Sequence, residues 1–290
     1  DKEAKAIIDM GVEVHFNKRL GTDFTIADLK GQGFGAVLLA IGAHKPKPMR
    51  VENEEADGVI GGVDFLREVV LGNITDVGKE VAVIGGGDTA MDCARVSRRL
   101  GANVTLLYRR TQAEMPALLM EQEETIEEGV DIRFLTAPTK VVLEDGRAVA
   151  MEVITMELGE PDDSGRRRPV PIEGSEEILK FDTIIPAIGQ DPDMACIEGE
   201  SVKPDITRWN TFIYDEVTQT TNIDGVFAAG DCAFGPDILI RAIGERKRAA
   251  DAIALYVNVA PVTLSKPYAL RLGRLAYLNR AHFSPRFAHN

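Results

Sequence analysis

Four apolar residues, Val81-Ala82-Val83-Ile84, run directly into Gly85-Gly86-Gly87-Asp88-Thr89-Ala90, and a helical pattern follows from Asp88 to Leu100 before Gly101 ends it. A buried strand, a glycine turn and a helix in that order open a parallel α/β unit. In such a G-x-G-x-x-A turn Gly85 permits the tight bend, Gly87 lets the backbone approach a pyrophosphate, and Ala90 lets the helix pack closely on the strand. The first helical amides add donors and partial positive charge that suit an anion. A purely structural turn would use the same residues, so it is the flanking strand and helix that favour nucleotide binding.

The following strand, Val104 to Tyr108, decides which nucleotide fits. An acid at its end would bond a ribose 2′-hydroxyl, whereas arginine would pair with a 2′-phosphate. Here the strand ends in Arg109-Arg110, which argues for NADP through charge-assisted bonds. The plainer alternative is a solvated basic pair.

The chain has 290 residues, 44% hydrophobic and 27% charged, a length that favours two lobes, each burying its own core. No apolar run approaches the roughly 20 residues of a membrane span. The formal charge of −13 opposes general nucleic-acid binding. It is unevenly placed, since residues 261–290 carry Lys266, Arg271, Arg274, Arg280 and Arg286 and no acid. The cysteines, Cys93, Cys196 and Cys232, form no C-x-x-C pair, so a disulfide scaffold, a thiol redox centre and a thiolate metal cage are not expected, and a reducing cytoplasm is the natural compartment. The opening Asp1-Lys2-Glu3, without Met, suggests a start inside a longer polypeptide.

Elsewhere the pattern predicts helices near Ala4 to Met10, Ile26 to Lys30, Val63 to Val70, Met115 to Glu128 and Ile238 to Val257. Strands are expected at Val12 to Phe16, Ala36 to Ile41, Val130 to Leu135, Trp209 to Tyr214 and Gly225 to Ala229. Val141 to Leu158 and Ile178 to Ile185 alternate as antiparallel strands joined by an exposed loop with Arg166, Arg167 and Arg168. The last strand delivers Gly230-Asp231 at its carboxyl end, where open α/β sheets hold ligands, so Asp231 could accept bonds from a sugar-like hydroxyl chain or simply cap a turn. Two buried strands finish in Ala-Ile-Gly, at Gly42 and Gly189, where glycine lets the chain turn close to something flat or bulky.

Taken together, Ala-Ile-Gly42, Val-Ile-Gly-Gly-Gly-Asp-Thr-Ala-Met-Asp92, Tyr-Arg-Arg110 with Glu114-Met115-Pro116-Ala117, Ser164-Gly165-Arg-Arg-Arg168-Pro-Val-Pro171, Pro186-Ala-Ile-Gly-Gln190 and Gly225-Val-Phe-Ala-Ala-Gly-Asp231 resemble the glutamate synthase small-subunit family, which includes the flavin half of dihydropyrimidine dehydrogenase. The resemblance covers roughly residues 5 to 257. It implies an α/β fold in which a Rossmann-like NADPH lobe, with an antiparallel β meander, is inserted in an FAD-binding lobe. The corresponding divisions are 1–47 as part of the FAD-binding lobe, 48–78 as crossover, 79–188 as NADP-binding lobe, 189–260 as the C-terminal part of the FAD-binding lobe and 261–290 as a basic tail.

By the same resemblance Gly85, Gly86, Gly87, Asp88, Thr89 and Ala90 cradle the NADPH pyrophosphate, and Arg109 and Arg110 hold the 2′-phosphate. Gly189 and Gln190 lie near the nicotinamide, Gly42 marks the chain's first close approach to the cofactor, Gly230 and Asp231 contact the ribityl-phosphate part of FAD, and Ile238 opens the helix that faces the flavin ring. The implied activity is NADPH oxidation through FAD, with electrons passed to an iron–sulfur or glutamate-synthase-like large subunit, and self-association is left open. The chain departs from this family in lacking the first G-x-G-x-x-G and its preceding cysteine-rich ligands, so the FAD lobe is incomplete, and iron–sulfur clusters belong only to a missing segment or a partner. It is a fragment, or another chain completes the site, or it is a non-catalytic NADP-binding or assembly module without FAD.

Hydride transfer between nicotinamide and flavin needs no side-chain nucleophile, so no catalytic residue and no metal ligand is assigned. His15, His44, His282 and His289 have no triad or metal spacing and read as surface or packing residues. A thiol-disulfide reductase of the same two-lobe plan is opposed by the lack of paired cysteines.

Overall fold

The computed structural model describes residues 2–161 and 165–257. The basic tail, with His282 and His289, and Ser164 of the arginine-rich motif lie outside them. In chain order the elements are α1 (Lys2–Ile8), α2 (Ile26–Gly31), β1 (Val37–Leu39), β2 (Lys45–Pro46), α3 (Gly62–Val70), β3 (Glu80–Ile84), α4 (Asp88–Arg99), β4 (Asn103–Tyr108), α5 (Leu119–Glu127), β5 (Asp131–Phe134), β6 (Thr136–Glu144), β7 (Arg147–Pro161), β8 (Arg167–Pro171), β9 (Glu177–Lys180), β10 (Thr183–Pro186), β11 (Gln190–Asp191), β12 (Val226–Ala228), α6 (Asp231–Phe234) and α7 (Leu239–Tyr256). The fold is mixed α/β with a parallel sheet and antiparallel strands.

The central sheet is parallel, with order β10-β3-β4-β5. It is covered on both faces, which is why β3 is apolar at every residue from Val81 to Ile84. Period-two alternation divides those residues: Val81, Val83 and Ile185 pack with Phe65 of α3 and Ala90, Met91 and Ala94 of α4. Ala82, Ile84 and Ile184 turn the other way, onto Val141, Met151 and Val153 of the antiparallel β6-β7 pair. α4 and α5 are tied by Arg95, whose guanidinium pairs with Glu121, Glu124 and Glu128 at 2.7 to 2.8 Å.

A second, smaller core surrounds the parallel pair β1-β12 and includes Ile26, Leu39, Phe212, Val226 and Cys232. The antiparallel pair β2-β11 forms a further two-stranded ribbon, with Gln190 opposite Pro46 and Asp191 opposite Lys45.

Several segments differ from the sequence pattern for identifiable reasons. Ile178 to Ile185 is two strands: β9 pairs antiparallel with β7, and β10 pairs parallel with β3. Between them Asp182 takes hydrogen bonds from the amides of Lys79 (2.6 Å) and Glu80 (3.0 Å), pinning the chain where it changes sheets. The expected helix from Met115 begins only at Leu119, because Pro116 holds Met115 extended (ψ 124°) after a short 3₁₀ turn at Gln112–Glu114. Trp209 to Tyr214 forms no strand: Trp209 and Asn210 (φ 57°) turn the chain, and only Phe212 is bridged, antiparallel to Ile206. Val12 to Phe16 alternates like a strand but pairs with no strand among the described residues, and Val12, Val14 and Phe16 are exposed. Alternation reports amphipathy and cannot supply the neighbour that a ladder needs. Arg166, Arg167 and Arg168 are exposed as expected, but only Arg166 stays in the connection, whereas Arg167 and Arg168 open β8, with Arg167 opposite Pro161 of β7.

Candidate dinucleotide site

β3, α4, β4, α5 and β5 wind outward on one side of β3, and β10 lies on the other, so the winding direction reverses between β3 and β10. A crevice outside the carboxyl ends of the strands at such a reversal is where open α/β sheets take ligands. Gly85 leaves β3 there and Ala187 leaves β10, the Ala187 amide donating to the Ile84 carbonyl at 2.7 Å.

The three glycines do different work. Gly85 sits at φ +144°, and a side chain on it would lie 2.2 Å from the Ala187 carbonyl oxygen and 3.3 Å from the Ala90 methyl. Gly86 has the Tyr108 ring where a Cβ would stand, at 2.5 Å, and its carbonyl accepts from the Ala117 amide at 3.0 Å. Gly87 faces open space, with nothing within 4 Å of a Cβ position, and starts α4 with no side-chain cap. The first amides of a helix have no intrahelical partner. Gly87 therefore leaves them facing the crevice with room for an anion, as a pyrophosphate requires. Asp88 flanks the turn, its carboxylate taking the Leu118 amide at 3.3 Å; Thr89 is half-buried and Ala90 fully buried.

Arg109 and Arg110 follow β4 but differ in environment. Arg109 is exposed. Arg110 is only 5% exposed, and its Nε donates to the Arg167 carbonyl at 2.7 Å, which fastens the end of β4 to the start of β8. Around them the Tyr108 hydroxyl donates to the Glu114 carbonyl at 2.7 Å, and the Glu114 carboxylate takes the Thr111 hydroxyl. That hydroxyl, chiefly, and the Arg167 charge in part hold the Glu114 carboxyl below its ordinary range. The packing of the Tyr108 ring on Gly86, its bond to Glu114 and the arrival of β8 were not read from the sequence. The aromatic residue two places before Arg110 and the Arg-Arg-Arg run were the available signals.

Gly189 and Gln190 lie just beyond β10, where the Lys47 amide donates to the Gly189 carbonyl at 3.0 Å and the Lys47 ammonium pairs with Asp191 at 3.1 Å. The β2-β11 ribbon thus joins the two chain crossings that end in Ala-Ile-Gly. Gly42 and Gly230 follow the parallel neighbours β1 and β12, and the Ala229 amide donates to the Leu39 carbonyl at 3.1 Å. Both glycines have positive φ and open space where a side chain would stand. Asp231 is half-buried at the start of α6, and burial raises its carboxyl above the ordinary value. Ile238 precedes α7, and its amide donates to the Asp237 carboxylate at 2.7 Å.

The structure therefore sets Gly85 to Ala90 and Arg109-Arg110 beyond the carboxyl ends of the neighbouring parallel strands β3 and β4, and Gly42 with Gly230 and Asp231 beyond the ends of a second parallel pair. The first fits a dinucleotide phosphate by its open glycine and uncapped helix. The second fits the sugar-phosphate part of a flavin nucleotide by two open glycines beside a carboxylate. No group of three or more His, Cys, Asp or Glu side chains that could hold a metal occurs among the described residues, and no described helix is long and apolar enough to cross a membrane.

The chain is 42% identical to the NADPH-Fe(3+) oxidoreductase subunit beta of Geobacter sulfurreducens, an alignment covering 91% of this chain and 43% of that one. It is 43% identical to the NADP(+)-dependent formate dehydrogenase subunit beta of Moorella thermoacetica (88% and 36% covered) and 34% identical to the glutamate synthase [NADPH] small chain of Azospirillum brasilense (91% and 58%). It thus spans between about a third and three-fifths of these relatives' lengths. Among solved structures, FprA of Mycobacterium tuberculosis in complex with NADPH matches 86% of this chain and 67% of its own with a TM-score of 0.62 at 16% identity. Lactococcus lactis thioredoxin reductase matches 77% and 66% with a TM-score of 0.59 at 22% identity. These two share the fold. A model of the pyridine nucleotide-disulphide oxidoreductases matches residues 3–252, and the chain belongs to that family.

Proposed function

We propose that the chain is an NADPH-oxidising flavoprotein module that passes electrons from NADPH through FAD to an iron–sulfur partner, as a cytoplasmic subunit. One observation carries the reading: an open Gly87 beneath the uncapped start of α4, at the strand-order reversal, with Arg109 at the end of the next strand. In this reading the amides at Gly87, Asp88 and Thr89 bind the pyrophosphate. Arg109 takes the 2′-phosphate, and Arg110, buried and bonded to Arg167, fixes the strand end from which Arg109 reaches. Gly189 and Gln190 pass beside the nicotinamide. Gly42, Gly230 and Asp231 hold the ribityl-phosphate side of FAD, with the Ile238 end of α7 toward its ring.

Bound FAD would supply a two-electron acceptor able to release electrons one at a time. The side chains named here bind and orient. None needs to act as acid or base, because hydride transfer requires stacked rings and excluded water. The division into an FAD-binding part (1–47 and 189–260), a crossover (48–78) and an NADP-binding lobe (79–188) belongs to the same reading. A partner subunit is supported by relatives that are named as a subunit beta or a small chain, and an iron–sulfur or large subunit in that place belongs to the proposal.

The test is anaerobic addition of NADPH to the purified chain supplied with FAD. Bleaching of the flavin band is expected, and a yellow solution that keeps its colour contradicts the proposal. The short β1-β12 pair favours a second reading, an NADP-binding or assembly module without FAD. Colourless protein that binds NADP tightly would select it.

A further inference from the structure

Of the Arg166-Arg167-Arg168 run only Arg167 has a task in the account so far, yet the structure brings the run to the end of β4. The Arg110 Nε donates to the Arg167 carbonyl at 2.7 Å. Across a planar trans peptide the next Cα stands about 2.8 Å from that oxygen, so the Arg168 Cα lies within about 5.5 Å of the Arg110 side chain. An extended arginine spans more than that distance. Arg167 itself is committed, its Nε donating to the Gly159 carbonyl at 3.2 Å. Arg168 is exposed, and its guanidinium makes no hydrogen bond or ion pair among the described residues. β8 is also held by its ladder with β7, in which Pro169 stands opposite Leu158 and Pro171 opposite Met156, and the register shifts at Arg168 before Arg167 meets Pro161.

We propose that Arg168 is a second specificity-determining guanidinium for the adenosine 2′-phosphate, presented from β8 opposite Arg109, with Arg110 as the positioning residue that seats β8 at the site. A dianionic phosphate has oxygens for two guanidinium groups, and approach from two different strands encloses it. The antiparallel meander thus contributes to nucleotide selection as well as covering the sheet. This inference rests on the NADPH reading above.

The test is calorimetric titration of the full chain with NADPH and with NADH, for the wild type, Arg168→Ala and Arg109→Ala. For an exposed guanidinium one lost charge-assisted bond falls at the low end of about 1.5–3 kcal/mol, roughly a tenfold weakening. Arg168→Ala is therefore expected to bind NADPH roughly tenfold more weakly and NADH within about twofold of wild type, and Arg168→Glu to bind NADPH more weakly still. Arg168 touches no described side chain by hydrogen bond or ion pair, so the thermal midpoint of Arg168→Ala should stay at the wild-type value, separating a binding loss from a folding loss. NADPH affinity unchanged in Arg168→Ala while Arg109→Ala loses it overturns the inference and leaves the NADPH reading standing. Equal loss of NADPH and NADH in Arg168→Ala also overturns it. A wild type that does not prefer NADPH to NADH overturns both.

Discussion

Gly85 and Gly87 stand two residues apart in one turn, yet the geometry assigns them opposite consequences on substitution. A methyl on Gly85 would lie 2.2 Å from the Ala187 carbonyl oxygen, more than 1 Å inside ordinary contact, at a backbone φ of +144°. To relieve it β3 and β10 must separate, straining the 2.7 Å bond from the Ala187 amide to the Ile84 carbonyl. Backbone strain of about 1–3 kcal/mol and the displaced strand together put Gly85→Ala at about 3 kcal/mol or more of lost stability. Gly87 has φ −95° and nothing within 4 Å. Gly87→Ala therefore costs only the weaker start of a helix, about 0.5–1 kcal/mol, a shift of a few degrees in Tm. Its methyl instead occupies the approach to the α4 amides. Displacing a phosphate from one charge-assisted bond, about 1.5–3 kcal/mol, weakens NADPH by roughly 10- to 150-fold. Urea unfolding and NADPH titration on both variants measure the two quantities. A Gly87→Ala protein with wild-type affinity, or a Gly85→Ala protein with wild-type stability, would refute this assignment.

Arg109→Ala is expected to weaken NADPH roughly tenfold and leave NADH nearly unchanged in the same titration, since only one nucleotide carries the 2′-phosphate; equal losses would contradict that contact. The Asp182 carboxyl is held below its ordinary value first by the Glu80 amide and then by the Lys79 amide, so its charged form favours the fold. That contribution is complete above the unfolded value of about 3.9 and is lost as pH falls through the lower folded value. Asp182→Asn should be about 1 kcal/mol less stable at neutral pH, with the gap closing as the solution is acidified below about pH 4. A gap that widens on acidification would be the wrong sign. Burial pushes the Cys93 thiol up to about 12, so thiol-directed alkylation of the native protein at neutral pH should spare Cys93 until the chain unfolds.

The sequence was most legible where one segment contains its own explanation. Val81 to Ala90 announces strand, turn and helix through apolar continuity and glycine spacing, and the structure forms each in place. It was least legible where meaning depends on a partner remote in sequence. Arg109 and Arg110 are alike on paper, yet Arg110 is buried with its Nε on the Arg167 carbonyl, 57 residues away, while Arg109 is exposed. Ile178 to Ile185 reads as one alternating strand because nothing local records that Asp182 will be captured by the amides of residues 79 and 80. The helix expected from Ile238 to Val257 forms, yet of its apolar residues Ala249 is buried while Ile243 and Leu255 are exposed. Periodicity fixes which residues share a face, whereas burial depends on what lies opposite.

A crystal structure of the chain soaked with NADP tests the central claim most directly. The account expects the pyrophosphate against Gly87 and the first amides of α4, and the 2′-phosphate at Arg109. Nucleotide bound elsewhere, or a crevice between β3 and β10 filled by the protein's own side chains, would contradict it.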